Sequence, residues 1–137
     1  MAVQGTWKNE LGSTLVLTDD GNGRISGTYT TAVGGPTGEP FELIGSYDTS
    51  SSLPVPIGWS VAWTAWGSNT TWCGLLLDGG TITATWILAS TIPANEGWWQ
   101  SMNVGMDTFT QNGEVTPEAA EIRLRTHGAS HPLRKPR

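Results

Sequence analysis

The chain is short of three things that protein chemistry commonly draws on: cysteine, histidine and charge. Its single cysteine, Cys73, excludes a disulfide within the chain, and no CxxC or Cys/His spacing offers a metal site. Both histidines, His127 and His131, lie near the C-terminus, so residues 1–126 hold no imidazole for acid–base work or a Ser–His pair. Charged residues make up 14% of the chain, against about 25% in average globular proteins. That share excludes a coiled coil, a charge-rich helical bundle and a disordered acidic chain. No apolar run approaches the roughly 18 residues of a membrane-spanning helix. Basic residues are scarce until the end: Lys8 and Arg24 alone oppose twelve acids, leaving residues 1–122 at −10. Arg123, Arg125, Arg134, Lys135 and Arg137 then give the last fifteen residues +5. An acidic body repels phosphate backbones, so neither nucleic acid nor a membrane is expected as a partner, and the basic tail reads as solvated.

What is present is turn chemistry, hydroxyls and tryptophan. Eighteen Gly and eight Pro, among many Thr and Ser, favour strands and turns over helices. Met1-Ala2-Val3-Gln4 runs straight into pattern, with no signal peptide in the chain as given. Strands are expected near 5–11, 13–18, 24–33, 41–48, 57–65, 69–77, 81–90 and 98–109. Hairpin-type connections such as Asp19-Asp20-Gly21-Asn22-Gly23 and Trp66-Gly67-Ser68 separate them. Eight short antiparallel strands indicate an all-β domain over residues 1–110, a sandwich or an up-and-down β-barrel. Residues 111–137 form a C-terminal extension. Thr116-Pro117-Glu118 carries helix-start signals, Ala119 to Thr126 could complete two turns, and from Gly128 onward the tail reads as disordered.

Strand parity sorts the residues into rows. Trp59, Val61 and Trp63 share a face; Trp72 sits with Thr70 and Gly74, Trp86 with Ala84 and Leu88, and Trp7 with Asn9 and Leu11. Met102, Val104 and Met106 oppose Asn103, Gly105 and Asp107 on the last strand, and Ile87 opposes Trp86 and Leu88. If the polar row points inward, the apolar one is an exposed patch of the kind that marks a subunit interface. Each Trp taken singly is more often core than ligand contact. Yet Asn9, Ser13, Tyr29, Thr31, Thr70 and Asp107 would all be buried beside Trp, and buried polar groups need partners, which a polar ligand could supply.

These residues resemble the avidin–streptavidin family of biotin-binding proteins. The resemblance rests on GTWKNELGST at 5–14, GTYTTAVGG at 27–35, IGWSVAW at 57–63, TTWCG at 70–74, TATWIL at 83–88 and WQSMNVGMDTF at 99–109. It implies an eight-stranded antiparallel up-and-down barrel that binds biotin non-covalently and tightly, without a cofactor and without catalysis. It assigns Asn9, Ser13 and Tyr29 to the ureido oxygen, Thr31 and Asp107 to the ureido N–H groups, and Thr70 to the thioether sulfur. Ser68 and the backbone near Gly35 would take the carboxylate. Trp63, Trp72 and Trp86 would wall the site, with Leu11, Val33 and Leu88 filling gaps. Trp99 matches a tryptophan that a neighbouring subunit lends. The resemblance further implies secretion and a homotetramer, a dimer of dimers, here joined through Ile87, Trp99, Met102, Val104 and Met106.

The sequence departs from that pattern in places. The connection from Trp63 to Ser68 is short, and Gly35-Pro36-Thr37-Gly38 puts Gly and Pro in the flap, where Pro36 cannot donate a hydrogen bond. With neither Lys8 nor Arg24 near the flap, the carboxylate end is expected to be weakly recognised. Cys73 falls on an outward row and reads as a packed, inert thiol. The competing class is a Trp-rich carbohydrate-binding module, which requires its Trp rows on an exposed face. A small enzyme with Asp107 and a Glu as paired carboxylates is disfavoured, because no second acid shares the expected pocket.

Overall fold

The alternation of turn residues with β-branched and aromatic runs is carried directly into the backbone. The computed structural model describes residues 3–32, 34–77, 80–91, 97–111 and 128–133. Among them run β1 (Gly5–Asn9), β2 (Thr14–Asp19), β3 (Arg24–Thr30), β4 (Pro40–Tyr47), β5 (Val55–Trp63), β6 (Ser68–Leu77), β7 (Thr81–Ser90) and β8 (Met102–Thr110). Each pairs antiparallel with the next, and β1 also pairs with β8 through Lys8↔Thr110 and Asn9↔Phe109. That last ladder closes the sheet and decides for the up-and-down barrel over the sandwich.

All eight expected strands are found, with several boundaries moved: β1 ends at Asn9 rather than near residue 11, and β5 runs two residues earlier at both ends. β3 ends at Thr30 because Thr31 already belongs to a loop, its carbonyl accepting from the Gly38 N–H at 3.1 Å. β8 starts at Met102 because Trp98–Ser101 forms a single 3-10 turn, in which the Ser101 hydroxyl donates to the Trp98 carbonyl. In a meander of this kind the β1–β2, β3–β4, β5–β6 and β7–β8 connections all lie at one end of the barrel. Asn9, Ser13, Thr31, Trp63 and Ser68 stand at those strand ends, so topology alone gathers them at one mouth.

Parity sorts inside from outside as expected. Trp7, Trp59, Trp63, Trp72, Trp86, Tyr29 and Phe109 are buried, and the indoles of Trp59 and Trp72 stack at 5.6 Å with Phe109 edge-on to Trp59. Each such ring withdraws enough apolar surface to contribute roughly 1.5–3 kcal/mol. The opposite rows face outward: Ile87, Val104 and Met106 are more than half exposed, and Ile44 on β4 is 70% exposed. Cys73 also faces outward and is exposed, not packed as the sequence reading had it, because none of the described residues covers that side of β6.

The tail departs most from expectation. Ala129, Ser130, His131 and Pro132 are buried, where a solvated, disordered stretch was expected. Their burial has a simple cause: they enter the barrel mouth, whose Trp and hydroxyl lining accepts a short run without charge. The helix expected over 119–126 lies outside the described residues.

One glycine sets a wall of the interior. A Cβ on Gly105 would meet the Trp86 ring at 2.3 Å, so the indole can lie against β8 only because no side chain stands there. Gly105→Ala should therefore push Trp86 out of place and cost about 1–3 kcal/mol by overpacking. Urea denaturation checks this; an unchanged midpoint would show that Trp86 is not held by that contact.

Candidate functional site

The inner residues at the mouth end form a directed hydrogen-bond network. The Asn9 carboxamide oxygen accepts from the backbone N–H groups of Leu11 and Ser13, both at 3.0 Å, which orients its NH2 toward Tyr29. Asn9 Nδ2 then donates to the Tyr29 hydroxyl at 3.0 Å. Because that hydroxyl already accepts from Asn9, its own proton is directed to another partner, and Ser130 Oγ lies 3.5 Å away. Ser13 Oγ accepts from the Ala32 N–H at 3.3 Å, so its proton is likewise directed elsewhere. Burial pushes the Tyr29 phenol well above its ordinary range, an effect that the nearby negative charge of Asp107 reinforces, so Tyr29 remains a donor. Three donors thus converge from three short strand ends.

The aromatic walls are tied into the same network. Trp63 Nε1 donates to Thr70 Oγ1 at 2.8 Å, leaving the threonine proton for a further acceptor. Trp72 Nε1 donates to Asp107 Oδ2 at 2.8 Å. Tyr29 lies stacked on Trp72 at 5.0 Å and edge-on to Trp63 at 5.6 Å. Such rings hold one another in place while excluding water, which strengthens the hydrogen bonds beside them.

Two observations depart from a satisfied interior. Thr31 Oγ1 and the indole nitrogens of Trp59 and Trp86 are buried with no hydrogen-bond partner among the described residues. A buried hydroxyl without a partner costs about 1–3 kcal/mol, so Thr31 marks where an incoming donor would be rewarded. Secondly, Asp107 shares the site with another acid. Burial, followed by its hydrogen bond and charge interaction with Glu10, pushes Asp107 up to about 8, against the smaller opposing pull of Trp72 and Ser130. This corrects the expectation that no second carboxylate lies nearby. Glu10 follows β1, one residue beyond the Asn9↔Phe109 pair; the Thr108 N–H donates to Glu10 Oε2 at 3.0 Å, which holds its carboxyl beside β8 and near Asp107.

The residues singled out from the sequence are mostly brought together. Asn9, Leu11, Ser13, Tyr29, Thr31, Trp63, Thr70, Trp72, Trp86, Leu88 and Asp107 are all buried on the inner face. Ser68 is half-buried at the mouth, bonded to the Trp66 carbonyl and to Ser90 Oγ at 3.1 Å. Gly35 sits in the flap, Val33 lies outside the described residues, and Trp99 is 66% exposed on the single chain. Ser90 was missed, although parity with Trp86 and Leu88 points it inward. Glu10 and the tail residues carried no local signal.

A closed antiparallel barrel with an aromatic-lined pocket of convergent donors defines a small-molecule binding protein. The family model of the Avidin family matches residues 1–112, and the chain belongs to that family. Members bind biotin as a ligand and need no cofactor; they are generally tetrameric and generally secreted.

Asp107, raised by burial and by Glu10, contributes to the pH dependence of stability. Between about pH 4 and pH 8 the folded protein keeps a proton on Asp107 that the unfolded chain has lost. This group therefore makes stability fall as pH rises through that window. Denaturant unfolding at pH 5 and pH 8 should show the slope in the wild type and its loss in Asp107→Asn; equal slopes would mean that Asp107 is not so perturbed.

Proposed function

We propose that this protein binds biotin tightly and non-covalently, one molecule per chain, in the barrel pocket, and that it is not an enzyme. The observation that carries the reading is the convergence of Asn9 Nδ2, the Tyr29 hydroxyl and the Ser13 hydroxyl, opposite the acceptor Asp107. A cyclic urea has one carbonyl oxygen to take three donors and two N–H groups to give. Asp107 and the unpartnered Thr31 hydroxyl would receive those N–H groups. Thr70, its own acceptor site filled by Trp63, presents a proton to a soft sulfur. Trp63, Trp72 and Trp86 flank the ring, with Leu11, Val33 and Leu88 completing the lining. Donors on one side of the urea and an acceptor on the other draw charge onto its oxygen. Where Asp107 is ionised its hydrogen bond is charge-assisted and contributes roughly 1.5–3 kcal/mol, against about 1 for a neutral one.

At the mouth, Ser68 and the backbone at Gly35 are the groups available to a carboxylate. Lys8 is engaged with Thr14 Oγ1 at 2.8 Å, and Arg24 begins β3 at the opposite end of the barrel. Recognition of the acid is correspondingly weak, and biotin amides should bind nearly as well as biotin. A sugar-binding module would need its Trp rows outside; five of the eight indoles are buried inside the barrel.

Exposed Ile87, Trp99, Met102, Val104 and Met106 support assembly into a dimer of dimers, since outward apolar rows favour a partner surface. Ile44 extends the same property to β4. Membership in a generally secreted family supports secretion of this protein.

Tryptophan fluorescence titrated with biotin should saturate at one ligand per chain. Asp107→Ala should weaken binding by about 2–3 kcal/mol, because an acceptor and its polarising effect are lost together. Parental affinity in that variant would dismiss the assignment. Light scattering at micromolar concentration should give four chains, and Val104→Glu should lower that number; a stable wild-type monomer would refute the assembly.

A further inference from the structure

The pocket already contains a peptide, and it is the chain's own. Ala129-Ser130-His131-Pro132 lies inside the mouth, with Ser130 and His131 fully buried and Gly128 and Leu133 exposed on either side. The contacts follow the small-molecule site closely. Ser130 Oγ lies 3.5 Å from the Tyr29 hydroxyl, and the Ser130 carbonyl accepts from Thr70 Oγ1. His131 stands edge-on to Trp63 at 6.4 Å between ring centroids. At the flap, added Cβ atoms on Gly34 and Gly35 would come within 2.9 Å of Leu133 and 2.2 Å of the Pro132 carbonyl, so the double glycine is what lets the segment pass.

We propose that the C-terminal segment 129–132 is an intrachain ligand of the pocket, and that a small-molecule ligand must displace it. That it competes with biotin in particular rests on the reading given above.

Three further observations favour this. The segment carries no charge itself but is flanked in sequence by Arg123, Arg125, Arg134, Lys135 and Arg137, while the rest of the chain is strongly acidic. Opposite charge brings such a tail to the body and leaves the neutral run to enter. Sixteen residues, 112–127, join it to the last strand, and at ~3.3 Å per residue that length is ample to pass from one barrel end to the other. A tethered ligand competes at an effective concentration of order millimolar, so even modest intrinsic affinity keeps the pocket filled. The fit is also incomplete, since Thr31 Oγ1 stays without a partner beneath it. A ligand that donates to Thr31 has an advantage over the tail, and the plug can therefore yield.

Hydrogen exchange on the full-length protein tests this directly. Without biotin, the amides of 129–131 should be protected, equally at low and high protein concentration, and saturating biotin should remove the protection. His131→Asp, in the full chain, should abolish protection and speed biotin association by about tenfold or more, as the competent fraction rises. Unprotected wild-type amides, protection that grows with concentration, or an unchanged association rate in His131→Asp would overturn the proposal. Should biotin bind no form, the biotin reading fails alone, and exchange in wild type against His131→Asp still decides whether the tail occupies the pocket.

Discussion

In a barrel closed by eight antiparallel strands, every second side chain is sealed from bulk water by the backbone around it. A polar atom placed there has only its neighbours, a trapped water or a ligand to bond with, and leaving it alone costs free energy. Closure is the constraint from which the other features follow. It sorts the Trp rows inward, forces the hydroxyls among them into a directed network, and turns Ile44, Ile87 and Val104 outward. It also explains why the network has a direction. Asn9 is fixed by two backbone donors, so its NH2 gives to the Tyr29 hydroxyl, whose own proton is left for a further acceptor, and the same logic passes through Trp63 to Thr70.

Much of this was legible in the sequence because it is written in short-range patterns. Alternation identified which face of each strand carries Trp63, Thr70, Trp72, Trp86 and Asp107, and turn residues spaced the strands well enough to count eight. Closure of the sheet by β1 and β8 could not be read locally, since it joins residues a hundred positions apart. Neither could the meeting of Glu10 with Asp107. In the sequence Glu10 reads as an ordinary acid on the outward row of the first strand, and only the pairing of β1 with β8 brings it toward a buried partner. The tail was misread for a related reason. Composition reports that a segment is polar and poor in core residues, and says nothing of a cavity elsewhere that suits Ser130 and His131.

The acid pair and the plug bear on each other. Ser130 helps to offset the cost of burying Asp107, so in the ligand-free protein the tail partly plays the part of a ligand. A pocket of donors without any occupant would leave several buried groups unmet at once. Filling it with part of the chain keeps the interior close to satisfied, while Thr31 stays in reserve for a better partner. The site thus combines tight complementarity with a resident competitor. Strengthening or weakening the plug shifts apparent affinity and speed of capture together, through the competent fraction.

The most direct measurement is a calorimetric titration of the full-length chain with biotin. The account predicts saturable heat release with one site per chain, and binding tight enough that the isotherm breaks sharply at equivalence. A folded protein that shows no saturable heat with biotin at millimolar concentration would contradict it.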